Sequence, residues 1–162
     1  MFFRALFCIS ALIAYACTSS DVRHGEKLSF DSLVMHRSGC YGRCPVYEVE
    51  VTSEGKVTYR GERFVRLSGE HHGSTRFDEL ARLSRAISEG DFFSLKQSDL
   101  EACTVLATDN ATVYLLVVEG ERSHRLSYYY GCETAAGKVV DRISKIVDEV
   151  AVTSRWVTDG AL

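Results

Sequence analysis

The sequence holds no apolar run of the roughly 20 residues that a membrane-spanning helix needs. It has one proline and no glycine repeat, which excludes a collagen-like chain. Basic charge is not in excess. Nineteen Lys and Arg stand against 22 Asp and Glu, for a net charge of -3, and this argues against nucleic acid as a partner. No Ser-His-Asp order, phosphate loop or dinucleotide fingerprint appears. What is present is an ordinary globular composition: 162 residues, 46% hydrophobic and 25% charged. One domain is the natural count at that length.

The first residues read as an address. Arg4 supplies a positive charge, and a 12-residue, mostly apolar run from Ala5 to Ala16 follows. That is too short to span a bilayer and suits the core of a secretory signal. Ile13-Ala14-Tyr15-Ala16-Cys17 resembles a bacterial lipoprotein signal, in which a small residue precedes a cysteine that becomes the lipidated N-terminus. The resemblance implies lipidation of Cys17 and an anchor in the membrane. Thr18 after the cysteine implies an outer-membrane lipoprotein facing the periplasm; simple secretion after the same cut is the alternative. Two acyl chains give stable anchoring where one gives only marginal binding. The polar stretch from Thr18 to Lys27 then serves as a tether of roughly 17 Å reach. The expected organisation is a signal peptide at 1–16, a lipid-anchored tether at 17–30, a single domain at 31–152 and a C-terminal tail at 153–162.

Four cysteines remain for the folded part. Exported proteins meet oxidising conditions, so Cys40, Cys44, Cys103 and Cys132 are expected to form disulfides. Cys40 and Cys44 sit in a turn with Gly39 and Gly42, which favours local pairing and leaves Cys103 for Cys132. Loop-closure entropy gives about 3.6 kcal/mol for the long loop and about 1.9 kcal/mol for the short one. A redox-active pair at Cys40 and Cys44 is the rival reading. Three residues separate the two cysteines, and Pro45 opens a strand pattern rather than a helix. The cysteine spacing also lacks the two close pairs of a zinc site. No metal or other cofactor is expected.

Val46 to Thr52 and Lys56 to Val65 alternate in the manner of half-buried strands, joined by Glu54-Gly55. Glu48, Glu50, Lys56 and Arg60 fall on their wet face and are read as solvated. Leu33 to His36 is a further strand. Thr75-Arg76-Phe77-Asp78 has the form of a capping box. Phe77, Leu80, Leu83 and Ile87 recur at helical spacing after it, up to Gly90. Ser98 to Asn110 reads as a long loop. Thr112 to Val118 and Ser123 to Tyr130 form a second hairpin. Thr134 caps a helix whose apolar stripe runs from Val139 to Val150. The fold class is therefore α+β: a two-layer sandwich, with about five antiparallel strands and two helices on one face, in the order β-ββ-α-ββ-α. His71-His72 reads as a surface loop. Tyr128 and Tyr130 share one side of their strand, with Tyr129 on the other. With Tyr41 and Arg43 they form the candidate interaction surface.

Gly39-Cys40-Tyr41-Gly42-Arg43-Cys44-Pro45-Val46-Tyr47, followed by Gly55-Lys56-Val57-Thr58-Tyr59-Arg60-Gly61, resembles a bacterial domain-of-unknown-function family, number 6438. The resemblance runs from about Leu33 to Val150 and includes Phe92-Phe93 and the closing helix. It implies a fold and an envelope context, and no activity. The expected function is a non-enzymatic envelope lipoprotein that binds or interacts, with an envelope protein as its partner. The alternatives are a periplasmic thiol-disulfide enzyme using Cys40 and Cys44, and an unrecognised hydrolase.

Overall fold

The computed structural model describes residues 27–157. The expected signal, Cys17 and the far C-terminus lie outside the described residues.

The described residues form six strands: β1 (Ser32–Arg37), β2 (Val46–Thr52), β3 (Lys56–Arg63), β4 (Gly69–Ser74), β5 (Thr112–Glu119) and β6 (Arg122–Tyr129). They make one antiparallel sheet in the order β4-β3-β2-β1-β5-β6. The helices are α1 (Phe77–Glu89), the short α2 (Gln97–Glu101) and α3 (Ala135–Ala151). Strand alternation sends Leu33, Met35, Tyr47, Val49, Val51, Val57, Tyr59, Val113, Leu115, Val117 and Leu126 to one face. The apolar stripes of α1 and α3 cover that face: Leu80, Leu83 and Ile87 from the first, and Val140, Ile143, Val147 and Val150 from the second. Each such side chain contributes about 1.5–3 kcal/mol when fully buried. The two-layer α+β architecture therefore agrees with the reading of the sequence.

The sixth strand is a correction. The segment holding His71 and His72 is the edge strand β4, not a loop: Tyr59 pairs with His71 and Thr58 with His72. Gly-Glu-His-His-Gly-Ser has little intrinsic strand preference, so the exposed edge of β3 supplies the pairing. The wet face is exposed as expected, and its charges also pair across strands. Arg60 donates to Glu48 and to Glu70, both at 2.9 Å, and so ties β3 to β2 and β4. At the other edge, the Gln97 carboxamide donates to Ser127 O and accepts from Ser127 N–H, each at 3.0 Å. That pairing occupies part of an otherwise open strand edge.

Two ends of elements differ from expectation. The helix α1 has no side-chain cap at its N-cap residue, Arg76. Asp78 is held instead by Arg76, and the Thr75 N–H goes to Gly55 O in the β2–β3 turn. Gly55 has φ +82°, and a β-carbon there would lie 2.7 Å from Thr75 O, so turn and helix entry require glycine. At the far end stands Trp156, expected in the C-terminal tail. It is buried and stacks on Tyr59 with ring centroids 4.8 Å apart, after a 3-10 turn at Thr153–Arg155. Leu28 and Phe30 likewise pack on the core rather than extend the tether. Thr134 caps α3 as expected, accepting from the Gly137 N–H at 2.8 Å. The expected loop from Ser98 begins as α2 and then becomes irregular.

Candidate functional site

Both disulfides form with the expected partners. Cys40 bridges Cys44, with Cα atoms 5.6 Å apart, and Cys103 bridges Cys132 at 5.0 Å. Both lie at the end of the sheet where β1, β3 and β6 finish and β2 and β5 begin. There the cysteine turn, the stretch before β5 and the two ends of α3 surround a cleft of about 960 Å³. Pro45, Ala111, Tyr128 and Val152 give it apolar walls. Lys138, Asp141, Lys145 and Glu149 line it from α3.

Beneath the cleft lies a buried polar network. Arg37 is the last residue of β1 and shares its inward face with Leu33 and Met35. Asp148 and Ser144 sit one turn apart on the inward face of α3. Arg37 donates to Asp148 Oδ2 from Nη2 at 2.6 Å and from Nε at 3.2 Å. The other carboxylate oxygen, Oδ1, accepts from the Tyr47 hydroxyl at 2.7 Å and from Thr153 Oγ1 at 3.0 Å. Arg37 Nη1 also donates to the Tyr130 hydroxyl at 2.5 Å. Ser144 Oγ donates to Asp141 O at 2.8 Å, so Tyr130, 3.1 Å away, donates to Ser144. Tyr130 and Ser144 thus each accept and donate.

Charge follows from this geometry. Burial is the largest influence on Arg37 and alone would lower its pKa, but Asp148, Tyr47 and Tyr130 together more than offset it, and the guanidinium is held charged. Burial, then the negative Asp148, pushes the Tyr47 hydroxyl far above its ordinary range. Burial and then Asp141 push Tyr128 up. The hydrogen bond from Lys145 to Asp141, at 2.7 Å, raises the lysine. These groups keep their charge state through neutral pH. They hold shape and offer a surface of fixed polarity.

The structure brings together part of the expected interaction surface. Tyr128 and Tyr130 both face the cleft, with rings edge-on at 5.3 Å, but Tyr128 is 6% exposed and forms its floor. Gly137 lies against that ring; a β-carbon there would meet Tyr128 Cε2 at 2.2 Å. Tyr41 is 88% exposed at the tip of the cysteine turn, apart from the two cleft tyrosines. Arg43 stacks over the Phe64 ring, 5.8 Å from its centroid. Cys44 borders the cleft directly. Arg37 and Asp148 went unnoticed as sequence. Their signal is a charged residue on the apolar side of a strand and another on the inward face of a helix. Among the described residues, no three His, Cys, Asp or Glu side chains gather as a metal site. No helix among them is long and apolar enough to cross a membrane.

A six-stranded antiparallel sheet with helices on one face and a disulfide-bordered cleft at one end defines a small two-layer α+β domain. The family model described as a domain of unknown function (DUF6438) matches residues 31–150, and the chain belongs to that family. No curated protein matches the sequence.

Proposed function

We propose that the protein is an envelope lipoprotein, tethered through Cys17, whose domain is a non-enzymatic binding module with the cleft as its ligand site. The carrying observation is the commitment of the cleft's buried charges to each other. Arg37 and Asp148 neutralise one another, and Cys44 is bridged. A ligand therefore meets the Tyr128 and Tyr130 rings, Pro45, Ala111 and Val152, with Lys138 as an exposed cation on the wall. Apolar walls with a few placed polar groups are the usual make-up of a recognition site.

The test is photocrosslinking in the native envelope, with a photoreactive amino acid at Lys138. A discrete adduct is expected, and Ala111→Trp, which fills the cleft, should abolish it. No adduct, or one indifferent to Ala111→Trp, overturns the reading. Acyl labelling of wild type and Cys17→Ser tests the tether separately; label and membrane retention should both vanish in the variant. A thiol-disulfide role has one observation in its favour, the position of Cys44 on the cleft. Against it, the chain after Cys44 enters β2, so no helix N-terminus lowers a thiol pKa. Insulin reduction that is lost in Cys40→Ser would establish that role instead.

A further inference from the structure

The loop end of the sheet carries charge and apolar surface that the cleft leaves unused. Arg43, Arg63, Arg66 and Arg155 are exposed there, and among the described residues none has a carboxylate in ion-pair contact. They are neighbours. Arg43 lies over Phe64. Arg63 packs beside Gly39, where a β-carbon would sit 3.3 Å from its Nη2. The Leu67 N–H donates to Trp156 O at 3.0 Å, so the backbone that carries Arg66 meets the backbone that carries Arg155. Of the acids near this stretch, Glu62 contacts His36, Glu70 pairs with Arg60 and His72, and Asp109, beside Tyr41, accepts from the Thr108 hydroxyl. Exposed Tyr41, Phe64 and Leu67 lie among the arginines.

We propose that this loop end docks an acidic segment of a partner protein, with the four arginines taking its carboxylates and Tyr41 and Leu67 its apolar side chains. Three observations favour that occupant. A chain of net charge -3 gathers on one end four cations that make no ion pair among the described residues. All four are arginine, whose planar fork matches a carboxylate in two parallel hydrogen bonds. Arginine and exposed aromatics are also the residues that anchor protein interfaces. The chain's path disfavours the anchoring membrane as the occupant. The chain enters at the opposite end, where Asp31 O accepts from Ser53 N–H and the Asp31 carboxylate accepts from Gly120 N–H. Strands of six to eight residues separate the two ends by roughly 20–26 Å. A tether leaving from one end presents the arginines away from the leaflet that holds it. The proposal rests on the reading of the protein as a binding module.

The experiment uses the full mature chain and a fluorescent synthetic peptide of alternating Glu with Leu and Phe. Comparison probes are its Lys-for-Glu counterpart and vesicles of phosphatidylethanolamine and phosphatidylglycerol. Wild type should bind the acidic peptide best, less tightly at high salt. R43E/R66E should weaken it roughly tenfold or more. R85E/K96E makes the same charge change at exposed positions away from the loop end and should leave binding within about twofold. No binding of the acidic peptide, equal loss in both variants, or tighter binding of vesicles than of peptide overturns the proposal. If the peptide fails while the Lys138 adduct stands, only this proposal falls. If the adduct fails as well, the binding-module reading falls with it.

Discussion

Arg37 and Asp148, 111 residues apart in sequence, meet at 2.6 Å beneath the cleft and join the end of β1 to the last turn of α3. Both are largely withdrawn from water, with side chains 15% and 5% exposed. Removing one partner strands the other charge in a poorly solvated site. Arg37→Met or Asp148→Leu alone should therefore cost about 3–5 kcal/mol. The double variant should recover most of that loss, because no buried charge remains unpaired. Denaturant midpoints for the two singles and the double complete the cycle. Additive losses in the double variant would show that the pair is not coupled.

Tyr59 offers a gain rather than a loss. Its ring is fully buried between Tyr47 and Trp156, yet its hydroxyl has no hydrogen-bond partner among the described residues. Tyr59→Phe keeps the ring and removes the orphaned hydroxyl, so stability at neutral pH should rise by about 1 kcal/mol. A lowered midpoint would reveal a partner for that hydroxyl.

The same hydroxyl predicts an alkaline response. Burial pushes Tyr59 up to about 12 in the folded protein, against about 10 when unfolded. Below pH 10 both states are protonated, and the contribution is full and constant. Between pH 10 and 12 the unfolded chain loses its proton first, so stability falls as pH rises. Tyr59→Phe should make that fall shallower without removing it, because Tyr47 is displaced in the same direction. Equilibrium unfolding of both proteins at several alkaline pH values gives the two slopes. Parallel slopes would place the Tyr59 hydroxyl in contact with water.

Gly137 sets the depth of the cleft. A β-carbon at that position would collide with the Tyr128 ring, in a helix whose other residues already fill the space above the sheet. Gly137→Ala gains helix propensity, worth about 1 kcal/mol, but must displace a ring that is 6% exposed. Overpacking of this kind costs about 1–3 kcal/mol. The net expectation is a modest loss of stability and a weaker Lys138 adduct. An unchanged adduct would mean that Tyr128 takes no part in shaping the site.

Much of the fold was legible because alternation and helical spacing are local signals. Val46 to Thr52, Thr112 to Val118 and the stripe of α3 each declare their buried face within a few residues. The strand β4 declared nothing, because its pairing is supplied by β3 and its own residues are polar. The capping of α1 was misread because Arg76 competes for Asp78. The site was legible in part. Tyr128 and Tyr130 were placed on one side by strand period, but Arg37 and Asp148 become a pair only when β1 and α3 are stacked. No spacing in the sequence encodes that juxtaposition.

The two bridges should differ in what they hold. Cys103–Cys132 closes a separation of 29 residues that contains the stretch before β5 and the whole β5–β6 hairpin. Cys40–Cys44 closes a separation of 4 in a turn that two glycines already favour. If stabilisation follows the entropy of the closed loop, losing the long bridge should cost about twice as much as losing the short one. Double Cys→Ala variants at each pair, unfolded by denaturant in oxidising buffer, give the two losses. The long bridge also has a buried end, since Cys132 is 2% exposed. Its removal therefore adds a packing loss to the entropic one, which moves the ratio upward. The short bridge adds nothing comparable, because its neighbours Tyr41, Gly42 and Arg43 are exposed. Equal losses from the two pairs would mean that the Cys40 turn supports the β1–β2 connection, and with it the cleft wall at Cys44, more strongly than its length implies.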